Sequence, residues 1–526
     1  MAGKVNYRFV AVLCAILIAC TLGVVGLWYT FVHTDPAEAI ARADGAFEKG
    51  QYALASSLYG KALAKRPNNI DLIIKYADSI KPIKVSDVRT ARDTVQRLQG
   101  AYRKALQIDP VHPQAFEHLM DLTLRIGRDL GDFDAWNQMV RTATSSLAVD
   151  GTFTLAHKYR GLAQVNLMEA IDVLPDDRDR ARSDLQAANK AFPKDVQVAY
   201  HLVRWHLVQA RKLARSGNQP DEVNRHHQLA LKLSNELLGH GPTDPLRRLY
   251  HIRVLTVLEK HDQAVALFTK LETQLLKKAK PADVVLAVAD RIAFIANKPG
   301  NSAQSLLGRD GLKRTEALLR AAIARYPSDL RFNTSLGRMM SLQGRYDDAM
   351  QILEHVMEKP LVATPVNLLR DADLQKRALA QHADLILTRA KTMPLKEKQL
   401  ALKQVDEVVR KLQGTTGKSA LVYLMEGKLH MVREQWPVAL VKLDRAIAMF
   451  KGQNPEALLY AATCCIKLGE PGAAIDRLEK LVELRENYMP ARYELMRLHL
   501  QLSQYGRLSN QIQATLSLAP NDFESQ

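Results

Sequence analysis

The stretch GQYALASSLYGKALAKRP, Gly50 to Pro67, decides how the chain is read. Ala55, Tyr59 and Ala62 recur at offsets of four and three, which places them on one helical face. Gly50 supplies a tight turn before the helix, and Pro67, which lacks an amide donor, ends it. The same frame returns far along the chain. Gly344 is followed at matching offsets by Ala349, Leu353 and Val356, with Pro360 one step early. Gly469 is followed by Ala474, Leu478 and Leu481. Counting back from a terminal proline finds it again: Leu98, Tyr102 and Ala105 before Pro110; Ala181, Leu185 and Ala188 before Pro193; Thr315, Leu319 and Ala322 before Pro327. A small residue on such a face lets a neighbouring helix approach, and the larger one fills the groove beyond it.

Each of these helices follows another. LRFNTSLGRMMSLQ precedes Gly344, with Leu336-Gly337 midway, and LVYLMEGKLHMVRE precedes the helix at Ala439, with Gly427 in the equivalent place. Helix, turn, helix, turn repeats at a period of about 34 residues. The last three units start near Ala420, Pro455 and Met489. This pattern resembles the tetratricopeptide repeat. The unit from Pro36 matches it at Gly50, Ala55, Tyr59, Ala62 and Pro67, with Ala43 and Ala46 at the first Gly and Tyr places. The unit from Leu330 matches it at Leu336, Gly337, Gly344 and Ala349. The resemblance implies an all-α fold, a TPR-like α-solenoid in which helix hairpins wind into a right-handed superhelix. Residues 36–300 read as repeats that become irregular in the middle, and 310–522 as regular ones. Asp195 to Leu238 reads as two long helices without the glycine marks. NKPGNSAQSLLGRDG, the most loop-like stretch, suggests a break near residue 300.

Ahead of the repeats, residues 9–32 contain no Asp, Glu, Lys or Arg. As a helix they would span about 36 Å, enough to cross a hydrocarbon core of about 30 Å. Lys4 and Arg8 precede the run, His33, Asp35 and Glu38 follow it, and Trp28 and Tyr29 lie near its outer end. The expectation is a single transmembrane helix with residues 1–8 as a cytoplasmic tail and the repeats on the outer, extracytoplasmic side. A cleaved signal peptide would have a shorter apolar region and an A-x-A site. Leu17-Ile18-Ala19-Cys20 resembles a lipobox, but a chain beginning at Cys20 would start with another dozen mostly apolar residues.

Hydrophobic residues make up 47% of the 526, enough to bury a large core, and aromatics only 6%. Leu and Ala dominate, which favours helices. The formal net charge is +17. Charges of both signs are interspersed and no long basic run occurs, so a solvated surface explains the excess as well as nucleic acid does. Cys14 and Cys20 lie in the apolar run, and Cys464 and Cys465 are adjacent, which gives neither a disulfide framework nor a metal set. GTTGKSA, Gly414 to Ala420, ends like a phosphate loop but has Leu412 where the first Gly belongs, and it follows a helix rather than a strand. It reads as a turn. His201, His206, His226, His227, His240, His251 and His261 cluster without metal-ligand spacing. They read as a region that gains positive potential in acid. No cofactor and no catalytic constellation is expected.

The resemblance implies a groove lined by the first helix of each pair, holding a peptide or a partner helix. The residue after the mid-helix glycine faces it, and here these are Arg338, Lys428 and Arg497. Three cations at one repeat position would attract an acidic partner. Asp44 and Thr463 break the series. The reading is a non-enzymatic, membrane-anchored scaffold for proteins or peptides, with envelope assembly, secretion or polysaccharide export implied by the resemblance. The alternative is a binder of anionic polymer or lipid.

Overall fold

The computed structural model describes residue 21 and residues 36–170, 174–216, 219–278, 311–485 and 488–518. Among these it is all helix: an isolated antiparallel bridge between Val85 and Ala363 is the extent of β-pairing. The 9–32 segment, Thr21 apart, and the break expected near residue 300 lie outside the described residues. Among the described residues no helix is long and apolar enough to cross a membrane.

The chain divides into two units. The first comprises Met1–Val208 with Leu361–Arg370. It contains α1 (Pro36–Glu48), α2 (Tyr52–Lys65), α3 (Ile70–Ile80), α4 (Val88–Ile108), α5 (Pro113–Leu130), α6 (Phe133–Val149), α7 (Thr154–Ala170), α8 (Pro175–Ala191) and the start of α9 (Val196–Ser216). Within it Val85 and Ala363 exchange two backbone hydrogen bonds of 2.9 and 3.1 Å, and Arg125 donates to the Asn367 side chain at 2.8 Å. The second unit comprises Gln209–Pro360 and Asp371–Gln526. Its helices are α10 (Pro220–Gly239), α11 (Pro245–Val257), α12 (His261–Lys278), α13 (Gly311–Arg325), α14 (Leu330–Leu342) and α15 (Tyr346–Glu358). After them come most of α16 (Pro365–Ala390), then α17 (Leu395–Thr416), α18 (Ala420–Val432) and α19 (Trp436–Met449). The series ends with α20 (Pro455–Leu468), α21 (Pro471–Leu484), α22 (Met489–Gln501) and α23 (Tyr505–Leu518). The two long helices expected between 195 and 238 are α9 and α10.

The face read from the opening stretch is the core of each hairpin. All eighteen residues of the six aligned frames are at most 5% exposed. Between the paired helices the glycine backbone of one lies against a leucine side chain of the other. A Cβ added at Gly337 would sit 3.1 Å from Leu353 Cδ2, and one at Gly427 only 2.6 Å from Leu443 Cγ. Gly161 on α7 has the same relation to Leu185 on α8, at 2.8 Å. Ala43 takes the place of glycine in the first hairpin, in one cluster with Tyr59.

Most first helices begin on side-chain caps. Asn69 accepts from the Leu72 amide at 2.9 Å and Asn454 from Ala457 at 2.9 Å, and the long second helix α4 has such a cap too, Asp87 accepting from Thr90 at 2.7 Å. Such bonds satisfy amides that a helix start leaves without partners. Six second helices follow a turn in which one residue is left-handed. That residue is glycine at Gly50, Gly344 and Gly469, with φ of 72°, 74° and 78°. At three equivalent turns it is Glu259, Glu434 or Ser503, with φ of 58°, 61° and 55°. The next amide closes every one of these turns on a carbonyl five residues back: Gln51 to Ala46, Lys260 to Leu255, Arg345 to Met340, Gln435 to His430, Glu470 to Cys465 and Gln504 to His499, at 2.8–3.0 Å.

Two outcomes follow for stability. Gly427→Ala forces the helices apart and lowers the stability of its hairpin by about 1–3 kcal/mol, an overpacking cost. Adding Leu443→Ala restores part of it. Glu434→Gly relieves a left-handed backbone and raises stability by about 1 kcal/mol or less, after the entropy glycine loses. Hydrogen exchange of amides 420–449 measures both locally, which a single global midpoint would not in a repeat array.

Candidate protein-binding face

Counting nine residues into each first helix locates one repeated position. It holds Asp44 on α1, Asp78 on α3, Asp121 on α5, Leu162 on α7 and Arg204 on α9 in the first unit, then Arg253, Arg338, Asp373, Lys428, Thr463 and Arg497 on α11, α14, α16, α18, α20 and α22 in the second. The first three are acids and four of the last six are cations, and what each side chain does differs as well.

The three aspartates are held by tyrosines. Tyr59 donates its hydroxyl to Asp44, which also accepts from Lys75 Nζ at 2.8 Å. Tyr102 donates to Asp78 at 2.9 Å, where Lys81 Nζ at 2.9 Å and His118 Nδ1 at 3.3 Å also gather. Tyr159 donates to Asp121 at 2.5 Å. Burial alone would raise the Asp78 carboxyl, but the His118 and Lys81 contacts outweigh it and bring it to about 2. The three phenols are pushed above their ordinary value, first by burial and then by the carboxylate each one binds. The hydroxyl of a buried tyrosine needs a partner, and here an aspartate at the same place in a first helix provides it, from 15, 24 or 38 residues away.

In the second unit the three predicted cations have different fates. Lys428 is buried, with Nζ 2.8 Å from Asp384 Oδ1 and also bonded to Glu456. The Tyr460 ring centroid lies 4.8 Å from it. Burial opposes the charge on Lys428, but the two carboxylates prevail and raise its pKa. This side chain is a tie between α18, α16 and α20. Arg338 is exposed and makes no ion pair among the described residues. Arg497 is exposed and bonded to Glu494, one turn earlier on α22, at 2.6 Å. Thr463 returns its hydroxyl to the Leu459 carbonyl at 2.9 Å. Nothing brings Arg338, Lys428 and Arg497 into contact with one another. Sequence reading passed over Asp384, Glu456 and Tyr460 around Lys428, and the aspartate row. Counting charges by position from each helix start would have found the row.

The remaining motifs resolve plainly. Gly417 is a left-handed turn residue between α17 and α18, and Ser419 caps α18. Cys464 and Cys465 are fully buried free thiols, and burial pushes Cys464 up to about 12. Burial lowers His201, His227 and His251, with the Arg204 charge adding to it at His201. At these three, burial opposes the positive potential expected in acid. Among the described residues no group of three or more His, Cys, Asp or Glu side chains is placed to hold a metal ion.

Stacked helix hairpins with an inner register of this kind define a helical-repeat protein. A tetratricopeptide-repeat family model matches residues 301–356 and 424–489, so the chain carries such repeats there. None of the curated proteins matches the chain. Several solved structures are similar to the chain at low identity. The APC/C hetero-tetramer Cut9–Hcn1 is 11% identical over 96% of this chain and 97% of that one, with a TM-score of 0.33. A tetratricopeptide repeat protein from Parabacteroides merdae is 15% identical over 58% and 98%, with a TM-score of 0.40. Yeast Tom70 is 12% identical over 93% of each chain, with a TM-score of 0.37.

The charge ties yield two outcomes. Asp78 has a depressed folded pKa, so its contribution is present above the unfolded value of about 3.9 and is lost as pH falls toward 2. Asp78→Asn removes about 1–2 kcal/mol at neutral pH and flattens the acid loss of protection of α3 and α4 amides in hydrogen exchange. Lys428 has a raised folded pKa, so its contribution is complete below about 10.4 and is lost in alkali. Lys428→Ala leaves two carboxylates facing each other and costs about 2 kcal/mol, less than a fully buried pair because both acids are partly exposed. Exchange rates of α18 and α20 amides report it.

Proposed function

We propose that this chain is a non-enzymatic scaffold, fixed to a membrane by residues 9–32, that binds partner proteins or extended peptides along the first-helix face of its repeats. Proteins of this fold generally mediate protein–protein contact, and the observation that carries the reading here is the single register position repeated from helix to helix. In the second unit that position presents exposed guanidinium groups at Arg338 and Arg497. These meet acidic side chains of the partner, while Lys428 orders Asp384, Glu456 and Tyr460 between them. The groove holds no cofactor and performs no chemistry.

The uncharged run at 9–32 supports a single-pass anchor, and Lys4 and Arg8 support a cytoplasmic N-terminus with the repeats on the extracytoplasmic side. Envelope assembly, secretion or polysaccharide export is the setting such anchored repeat proteins suggest. Nucleic acid is not the partner.

Crosslinking of the full chain in its native membrane tests the groove. Arg338→Glu with Arg497→Glu reduces capture of specific partners by about ten-fold or more, since like charges now face the ligand. Hydrogen exchange of the pair variant stays unchanged. Equal capture by the pair variant and the parent chain rules this groove out.

A further inference from the structure

Charge in the first two hairpins is sorted by layer. The first helices, α1 and α3, carry Arg42 and Lys75 against Glu38, Asp44, Glu48, Asp71 and Asp78. The second helices reverse this. α2 carries Lys61 and Lys65 and no acid; α4 carries Arg89, Arg92, Arg97, Arg103 and Lys104 against Asp93 alone. The sorting is local, since α6 has one Arg and one Asp.

The basic layer is accessible and largely unspent. Lys61, Arg89, Arg92 and Arg97 are exposed, and Arg103 and Lys104 half-exposed. Lys61, Arg92, Arg103 and Lys104 make no ion pair among the described residues, and Arg97 donates only to the Thr94 hydroxyl at 3.1 Å. The two helices flank a common cleft. Ser57 and Gly60 of α2 face Thr90, Thr94 and Arg97 of α4 across it. Lys61 stands one turn on from Ser57 and Arg97 lines the opposite wall, so each helix brings a cation to this cleft. Leu54, 51% exposed, continues the same stripe of α2 without introducing an acid.

The covalent chain gives this surface its occupant. α1 begins at Pro36, four residues after Val32 closes the uncharged run. An extended link of that length reaches at most about 14 Å. Headgroup charge acts over a Debye length of about 8–10 Å, so a link this short lets the first hairpins lie down on the surface and bring their cations within that range. Tethering also makes the contact intramolecular, which lets individually weak lysine and arginine contacts act together. A peptide or nucleic acid has no such delivery.

We infer that the outer face formed by α2 and α4 is a docking surface for acidic phospholipid headgroups, which lays the first two hairpins against the membrane that anchors the chain. The inference rests on the anchor of the proposed function. It leaves the opposite, first-helix layer facing away from lipid.

Full-length chain is reconstituted into vesicles of phosphatidylcholine, with or without one third phosphatidylglycerol. Lysines are then acetylated with a water-soluble ester and read by mass spectrometry. Lys61 and Lys104 should react about five-fold more slowly on the acidic vesicles, the effect of one basic residue at an anionic surface. High ionic strength should abolish the protection, and Lys451, exposed in the second unit, should not respond. Arg92→Glu with Arg97→Glu should restore Lys61 reactivity without altering the exchange of α2 amides. Equal reactivity on both vesicles overturns the inference, as does protection by polyuridylate in place of acidic lipid. Flotation separates the two readings: failure to float with phosphatidylcholine alone removes the anchor, and lipid-independent labelling in a chain that floats removes only the docking face.

Discussion

The structure depends on how closely two helices of a hairpin can approach. At Gly427 and Leu443 there is no room for a methyl group, and at Gly337 and Leu353 barely any. The leucine fills the notch the glycine leaves, so each hairpin is fixed by one small and one large residue at constant register. A pair of helices of 13 or 14 residues, such as α18 and α19, cannot bury its remaining apolar face alone. Leu458, Cys465, Leu478 and Leu495 form one cluster drawn from α20, α21 and α22, so the core exists only where hairpins stack. Stability is therefore carried by neighbour contacts along the chain, as in other linear repeats.

This constraint made much of the fold readable. The four-then-three spacing of buried residues survives at Ala55, Tyr59 and Ala62 and in the five other frames because each frame is the core of its own hairpin. Turn geometry is less readable. Glu259, Glu434 and Ser503 adopt the backbone that Gly50 adopts, and the same five-residue hydrogen bond closes the turn. Once stacking has fixed both helices, a left-handed penalty of about 1–2 kcal/mol at the turn is tolerated, and the glycine mark disappears from the sequence. In the middle of the chain one mark stays and another moves. Gly161 keeps the eighth place of its helix and meets Leu185, whereas a Cβ added at Gly127, late in α5, would lie 2.8 Å from the Trp136 ring, so close approach persists there with a different large partner.

The binding face was harder to read, for a reason of distance. Position nine of the first helix was recoverable by counting, and Arg338, Lys428 and Arg497 do share it. What each cation faces is decided across the stack. The acids around Lys428 come from positions 44 and 28 residues away, and nothing near it in sequence announces them. Arg497 differs because Glu494 is one turn away on its own helix, a pairing that spacing alone predicts.

Bulk charge and groove charge are consequently separate quantities. The chain has a net +17, yet its inner register is neutralised step by step: Asp44 by Lys75, Asp78 by Lys81, Lys428 by two carboxylates, Arg497 by Glu494. Repeats that stack through first helices bring like positions close together, so an unpaired row of one sign would repel itself along the solenoid. Pairing removes that cost and leaves a few exposed groups, Arg338 among them, to discriminate between ligands. Positive charge in excess is then tolerated where side chains point away from the stack into solvent, as Lys61 and Arg92 do. On a repeat protein of this kind, a basic isoelectric point describes the outer helices first, and the specificity of the groove has to be sought in the exceptions to its pairing.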